Sequence, residues 1–106
     1  MSFGNQTNRP VAQIKSSSDS KITNKALATA GTEYSHTFQN DVKKVIIKAR
    51  NFAVLQYSFV ETESGTKYST IPALNEKVFE PVKFDSKIIY LQASIDNTVI
   101  EIEEMF

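Results

Sequence analysis

The chemistry open to this chain is bounded first by its one histidine and its scattered carboxylates. His36 lies in the run Tyr34-Ser35-His36-Thr37-Phe38, where alternation places it on the side opposite Ser35 and Thr37. Metal ligation or general-base catalysis there requires Asp or Glu partners brought in from elsewhere, and no spacing in the sequence points to them. A glycosidase-like pair has Glu61, Glu63, Glu76, Glu80, Asp85 and Asp96 to draw on. Each has a plainer role: Glu61 and Glu63 fall in a polar loop, Asp85 and Asp96 at turns, and Glu80 beside Pro81, where charge discourages sheet-to-sheet association. Gly4, Gly31 and Gly65 are too far apart to form a phosphate-cradling loop, and the absence of cysteine removes disulfides, thiolate metal sites and thiol nucleophiles. The expectation is therefore no catalytic residue, no metal ligand and no cofactor.

Two weaker signals remain. Lys43, Lys44, Lys48 and Arg50 form a basic stripe. With 12 basic against 12 acidic side chains there is no net pull toward nucleic acid or an anionic membrane, so neither is expected as a partner. The stripe is better explained by cross-strand pairing of Lys44 and Lys48 with Glu101 and Glu103, should the last strand run alongside. Tyr68, Tyr90 and Phe106 are expected outside the core, where grouped aromatics mark either a glycan platform or a subunit contact.

The elements that position these residues read as strands. At 106 residues the chain has room for one modest core, and no stretch approaches a membrane span or a signal peptide; the pattern predicts a soluble, intracellular product. From Ala26 onward, short runs of Val, Ile, Thr, Phe and Tyr alternate with turn residues. Runs are expected at 25–29, 33–39, 43–50, 54–60, 67–71, 78–84, 87–93 and 98–103. Val45, Ile47 and Ala49 share one face, Leu55, Tyr57 and Phe59 another, and Ile89, Leu91 and Ala93 a third; Ile100 and Ile102 face inward, with Val99, Glu101 and Glu103 outside. Gly65 suits a hairpin loop over 61–66, and Pro72 and Pro81 mark edge strands. Asp96-Asn97 predicts a tight turn that makes the last two strands a hairpin. The fold class is all-β: about eight short antiparallel strands in a two-sheet sandwich, jelly-roll or immunoglobulin-like, over residues 25–106.

Residues 1–24 differ in composition. They are mostly Asn, Gln, Ser, Thr and Lys, with Val11, Ala12, Ile14 and Ile22 as the main apolar positions and Pro10 breaking any regular element. Two readings of this extended arm stay open: a tail without a structural role, or a segment that becomes ordered when Pro10, Val11, Ile14 and Ile22 anchor it on a partner subunit.

Several segments carry a resemblance to a known group of proteins. Ala30-Gly31-Thr32-Glu33-Tyr34-Ser35, Val45 to Arg50, Ile71-Pro72-Ala73, Ile89 to Ser94 and Thr98 to Glu104 together resemble small virion-associated β-sandwich proteins of tailed bacteriophages. That resemblance implies a non-enzymatic structural protein of the virion, assembled in the host cytoplasm and used in many copies. Its implied role is an auxiliary, capsid-decorating subunit held by its arm and sandwich surface. Its implied partners are the major capsid protein or other virion subunits, with self-association in a symmetric assembly. Two alternatives stay open: a neck or tail component, or a glycan-binding module using exposed Tyr with Thr62, Ser64 and Lys67.

Overall fold

The computed structural model describes residues 20–80 and 87–106. Eight strands follow in chain order: β1 Ser20–Leu27, β2 Tyr34–Thr37, β3 Lys44–Ala49, β4 Leu55–Ser58, β5 Ser69–Ile71, β6 Glu76–Phe79, β7 Ile88–Ala93 and β8 Thr98–Met105. They form two four-stranded sheets, β1-β8-β3-β6 and β2-β7-β4-β5, and every pairing is antiparallel. Among the described strands, only β4 and β5 are neighbours both in sequence and in a sheet; all other consecutive strands lie in opposite sheets. This is the strand order of an eight-stranded jelly roll, which decides between the two sandwich types expected.

Alternation explains which face each strand buries. On β8, Thr98, Ile100, Ile102 and Glu104 are inward and fully buried, while Val99, Glu101, Glu103 and Met105 are only partly covered. Val45 and Ile47 on β3 meet them from the same sheet; Leu55, Tyr57, Ile89, Leu91 and Ala93 face them from the other. Each Val, Leu or Ile among these contributes about 1.5–3 kcal/mol when taken out of water, so a core this small depends on nearly all of them. One side of the sandwich is closed by Tyr57, Phe59 and Phe79, whose rings meet edge to face at centroid distances of 5.6–6.0 Å. Lys77 and Lys87 place their amines 5.4 and 5.3 Å from the Phe79 and Phe59 ring centroids.

The edges are guarded by residue choice. Pro72 directly follows edge strand β5, as expected. On edge strand β1, Lys21 and Lys25 stand across from the inward positions Glu104 and Ile100, and inward-pointing lysines at an edge hinder pairing with another sheet.

Four expectations are corrected. The last two strands are not a hairpin, because β7 pairs with β2 and β4 whereas β8 pairs with β1 and β3. The Asp96-Asn97 turn instead carries the chain across the sandwich. There Asn97 takes a positive φ of 57° and its amide donates to Ala28 O, while Asp96 Oδ1 accepts from the Ala30 amide at 2.7 Å. Second, β1 begins at Ser20, so residues 20–24, including Ile22, belong to the sandwich through pairing with Glu101 to Met105. Third, the left-handed residue of the 61–66 loop is Thr62, with φ 70°, rather than Gly65. Fourth, Phe106 packs against the core, whereas Tyr68 and Tyr90 lie outside it as expected, Tyr68 exposed and Tyr90 partly covered on the outer face of the second sheet. The strand expected over 78–84 is seen as Glu76–Phe79, its remaining part running into residues outside those described.

Replacing Ile102 by Ala, in the middle of the strand that both neighbours pair with, is expected to cost about 2–5 kcal/mol in urea denaturation. Ile22→Ala, on the exposed face of the same sheet, should stay within about 0.5 kcal/mol of wild type.

Candidate functional site

The outer face of the first sheet carries the features best suited to contact. Register places Ile22, Glu103, Ile46 and Val78 in one row across all four strands, β1 to β6. Ile22 is 62% exposed and Val78 39%, so the row is an apolar band open to solvent. Beside it lies the row Asn24, Glu101, Lys48 and Glu76. Glu101 is gripped there by Arg50 Nε at 2.8 Å and Lys48 Nζ at 3.7 Å. The Arg50 hydrogen bond, reinforced by the Lys48 and Arg50 charges, holds the Glu101 carboxyl below the usual glutamate range despite partial burial. The second cross-strand pairing expected for the basic stripe is altered: Lys44 meets Glu80 at 3.3 Å rather than Glu103. An open groove of ≈ 500 Å³ continues past these charges to Leu74, which is 73% exposed.

Of the residues expected to bind a partner, the structure places Ile22 on this band, and Pro10, Val11 and Ile14 lie outside the described residues. Leu74, Phe52, Val60 and Ile95 are exposed apolar side chains that alternation did not single out, because all four fall between strands.

His36 is committed inside the fold. It points inward from edge strand β2 and meets Glu104 of β8, in the opposite sheet, with Nε2 2.7 Å from Oε2. The other carboxylate oxygen accepts the Gln39 amide at 3.0 Å, and Glu104 is fully buried. Phe38 presses edge to face on the imidazole at 5.2 Å. A buried carboxylate with two donors is satisfied, and the pair pins one sheet to the other. Sequence reasoning found no acidic partner for His36. The available signal was the period of β8 itself, which carries the inward set Thr98, Ile100 and Ile102 on to position 104.

A second polar junction closes the other loop. Glu33 accepts the Thr62 amide at 2.8 Å, the Ser64 amide at 3.1 Å and the Ser64 hydroxyl at 2.5 Å, and Gln92 Nε2 donates to the same hydroxyl oxygen. Partial burial works to raise the Glu33 carboxyl, but the hydrogen bonds from Ser64 and Thr62 outweigh it and hold the group below 4.5. Ser64 is fully buried in this junction, so of the residues considered for glycan contact only Thr62, Lys67 and Tyr68 face solvent.

Among the described residues, no group of three or more His, Asp or Glu side chains is placed to hold a metal ion, and no helix is long and apolar enough to cross a membrane. No known protein family, curated protein or solved structure matches the chain.

Glu104→Ala strands the His36 ring nitrogen and the Gln39 amide, and should cost about 1–3 kcal/mol for each group left without a partner; Glu104→Gln, which keeps one acceptor, should cost less in the same urea titration. Glu33 gives a pH signature. Its folded-state value lies below its unfolded one, so its contribution to stability is complete above pH 4.5 and fades as pH falls through the folded value. The stability gap between wild type and Glu33→Gln should therefore be constant near neutrality and shrink on acidification below 4.5, as read by denaturation at a series of pH values.

Proposed function

We propose that this chain is a non-enzymatic structural protein of a bacteriophage virion, an auxiliary subunit that decorates the capsid through residues 1–19 and the outer face of the first sheet. The observation that carries this reading is the jelly-roll strand order, an architecture used repeatedly in viral capsid domains. Two features of the surface point the same way. The inward polar groups of His36, Glu104, Ser64 and Thr98 are spent within the fold, whereas the exposed apolar band begins at Ile22 on the strand that residues 1–19 lead into. A subunit whose value lies in contact has its free apolar surface where a partner arrives.

The partners in this reading are the major capsid protein and further copies of the chain in a symmetric shell. A neck or tail position uses the same surfaces and differs only in the neighbour. The glycan-binding alternative loses Ser64, which is enclosed beneath its own loop.

Removing residues 1–19 leaves β1 intact and is expected to reduce co-purification with intact particles at least about tenfold, with the thermal midpoint of the isolated domain unchanged. Ile22→Asp, which puts a charge on the exposed band, should lower particle occupancy in the same direction. Undiminished incorporation of both variants speaks against the proposal. Glycan-array binding that disappears with Tyr68→Ala favours the alternative.

A further inference from the structure

At the end of the sandwich away from Ser20 and Phe106, every odd-numbered strand ends and every even-numbered strand begins, so four short loops lie side by side there. Hydrogen bonds fix their order. Asn97 N donates to Ala28 O, joining turn 94–97 to loop 28–33, and Ser94 and Val54 exchange two bonds that join the same turn to loop 50–54. The pairing of β3 with β6 and of β4 with β5 then sets loop 50–54 beside turn 72–75. Three consecutive members of this row carry an exposed apolar side chain: Ile95, 42% exposed, Phe52, 70% exposed, and Leu74. With neighbouring strands about 4.7–4.9 Å apart, the row from Ile95 to Leu74 spans about 9–10 Å, with Phe52 in the middle.

Each of the three is braced by its own loop. Phe52 is the central residue of a turn in which Asn51 Oδ1 accepts the Ala53 amide at 3.0 Å, and Asn51 Nδ2 donates to Thr98 Oγ1 at 3.1 Å. The Thr98 hydroxyl in turn donates to Ile95 O at 2.8 Å. Leu74 is the third residue of a turn closed by Asn75 N on Pro72 O, and its φ is 64°. A positive φ at that position ordinarily calls for Gly or Asn, so a leucine there is both strained by its Cβ and displayed to water. Single exposed apolar side chains need no explanation, but turns favour Gly, Pro, Asn, Asp and Ser. Three large apolar residues on three adjoining, braced turns have the character of a contact surface.

Charge narrows the choice of partner. The four loops contain three charged side chains, Glu33, Arg50 and Asp96, and each is held within the subunit: Glu33 by Thr62 and Ser64, Arg50 by Glu101, Asp96 by the Ala30 amide. The row therefore offers no unengaged cation to an anionic lipid surface or a nucleic acid, and what fits it is an apolar surface that brings no charge to be matched. The row itself is such a surface. Its sequence of aliphatic, aromatic and aliphatic is self-complementary: a twofold axis at Phe52 sets Ile95 against Leu74 on both sides.

We infer that this loop end is a contact between two copies of the chain, with the Phe52 side chains meeting at the twofold axis and Ile95 of each copy resting on Leu74 of the other. Three side chains from each copy place the contact below about 1,200 Å² of total buried surface, in the class of weak, transient interfaces, with a dissociation constant on the order of 0.1–1 mM. The contact is a property of the chain by itself, and it stands or falls separately from the virion role.

Sedimentation velocity of the full chain from about 10 μM to about 1 mM tests it. Wild type is expected to pass from monomer toward dimer across that range. Leu74→Gly relieves the strained φ while removing the side chain, so it is expected to keep or raise the thermal midpoint and yet weaken dimerisation at least about tenfold. Val60→Asp, which charges an exposed apolar residue of the 59–68 loop, is expected to leave dimerisation unchanged. Because the chain has no native cysteine, the register can be read by mixing Ile95→Cys with Leu74→Cys subunits. Under mild oxidation their mixed disulfide is expected to form at least about tenfold faster than the self-disulfide of either variant. A chain that stays monomeric at the top of the range overturns the inference, as do a dimer indifferent to Leu74→Gly, an equal loss with Val60→Asp, and self-disulfides that form as fast as the mixed one. Phosphatidylcholine vesicles that bind the monomer, and release it on Phe52→Asp, overturn it in favour of a lipid contact.

Discussion

The first sheet depends on its last strand. β8 pairs over eight residues with β1 and over six with β3, so neither of those strands has its full set of hydrogen bonds until the C-terminal segment is in place. β7 does the same in the second sheet, lying between β2 and β4. Because the two central strands come late in the chain, nearly all pairing is between distant residues, and the entropy of closing those loops is spent before the contacts form. The single local hairpin among the described strands, β4 with β5, is short. Stability must then come from what the central strands bury, which is why Ile100, Ile102, Ile89 and Leu91 have no exposed surface.

Glu104 shows what such a strand demands at its end. The inward face of β8 continues to position 104 at the margin of the sandwich, where the covering layer thins to edge strand β2 and the loop after it. A buried carboxylate is costly unless its oxygens are satisfied, and His36 and the Gln39 amide supply the donors from the opposite layer. The same contact orients the chain from β2 toward β3, where Phe38 and Val42 enter the core. Removing the acid would orphan polar groups on two elements, while a hydrophobic residue of similar size would lose the directionality that hydrogen bonds confer.

How much of this was legible in the residues follows from which forces are local. Period-two alternation is local, so the inward sets Val45 and Ile47, Leu55 and Tyr57, Ile89 and Leu91, Ile100 and Ile102 were readable, and the edge position of β5 followed from Pro72. Pairing is not local. Asp96-Asn97 has the chemistry of a tight turn whether the chain folds back into the same sheet or crosses to the other; the crossing goes with the pairing of β8 between β1 and β3 in the opposite sheet. The union of His36 with Glu104 joins positions 68 apart, and the Glu33 and Ser64 junction joins positions 31 apart. Beyond the period of β8, which reaches position 104, neither partnership leaves a mark in its own neighbourhood. Glu33 looks like an ordinary loop acid until the 61–66 loop, with Thr62 in a left-handed conformation, turns its amides toward the carboxylate.

The surfaces of the two sheets divide the labour that the core leaves over. The outer face of the second sheet presents Ser35, Thr37, Gln56, Thr70 and Tyr90 beside the partly covered Ile88, so it is mostly uncharged and polar. The first sheet instead alternates an open apolar band with paired charges, and it is the sheet whose edge strand is continuous with residues 1–19. Ion pairs as exposed as Lys44 with Glu80 add little to folding free energy, because solvent screens them and two long side chains must be held still. In the proposed role as a virion subunit, their larger effect is on association. A neighbour that covers the band must match a fixed pattern of charge around it, and a mismatch leaves a charge desolvated without a partner, which costs more than the correct pairing gains. Selectivity of this kind needs the charged groups to be held in register, and the pairing of β8 with β1 and β3 fixes that register.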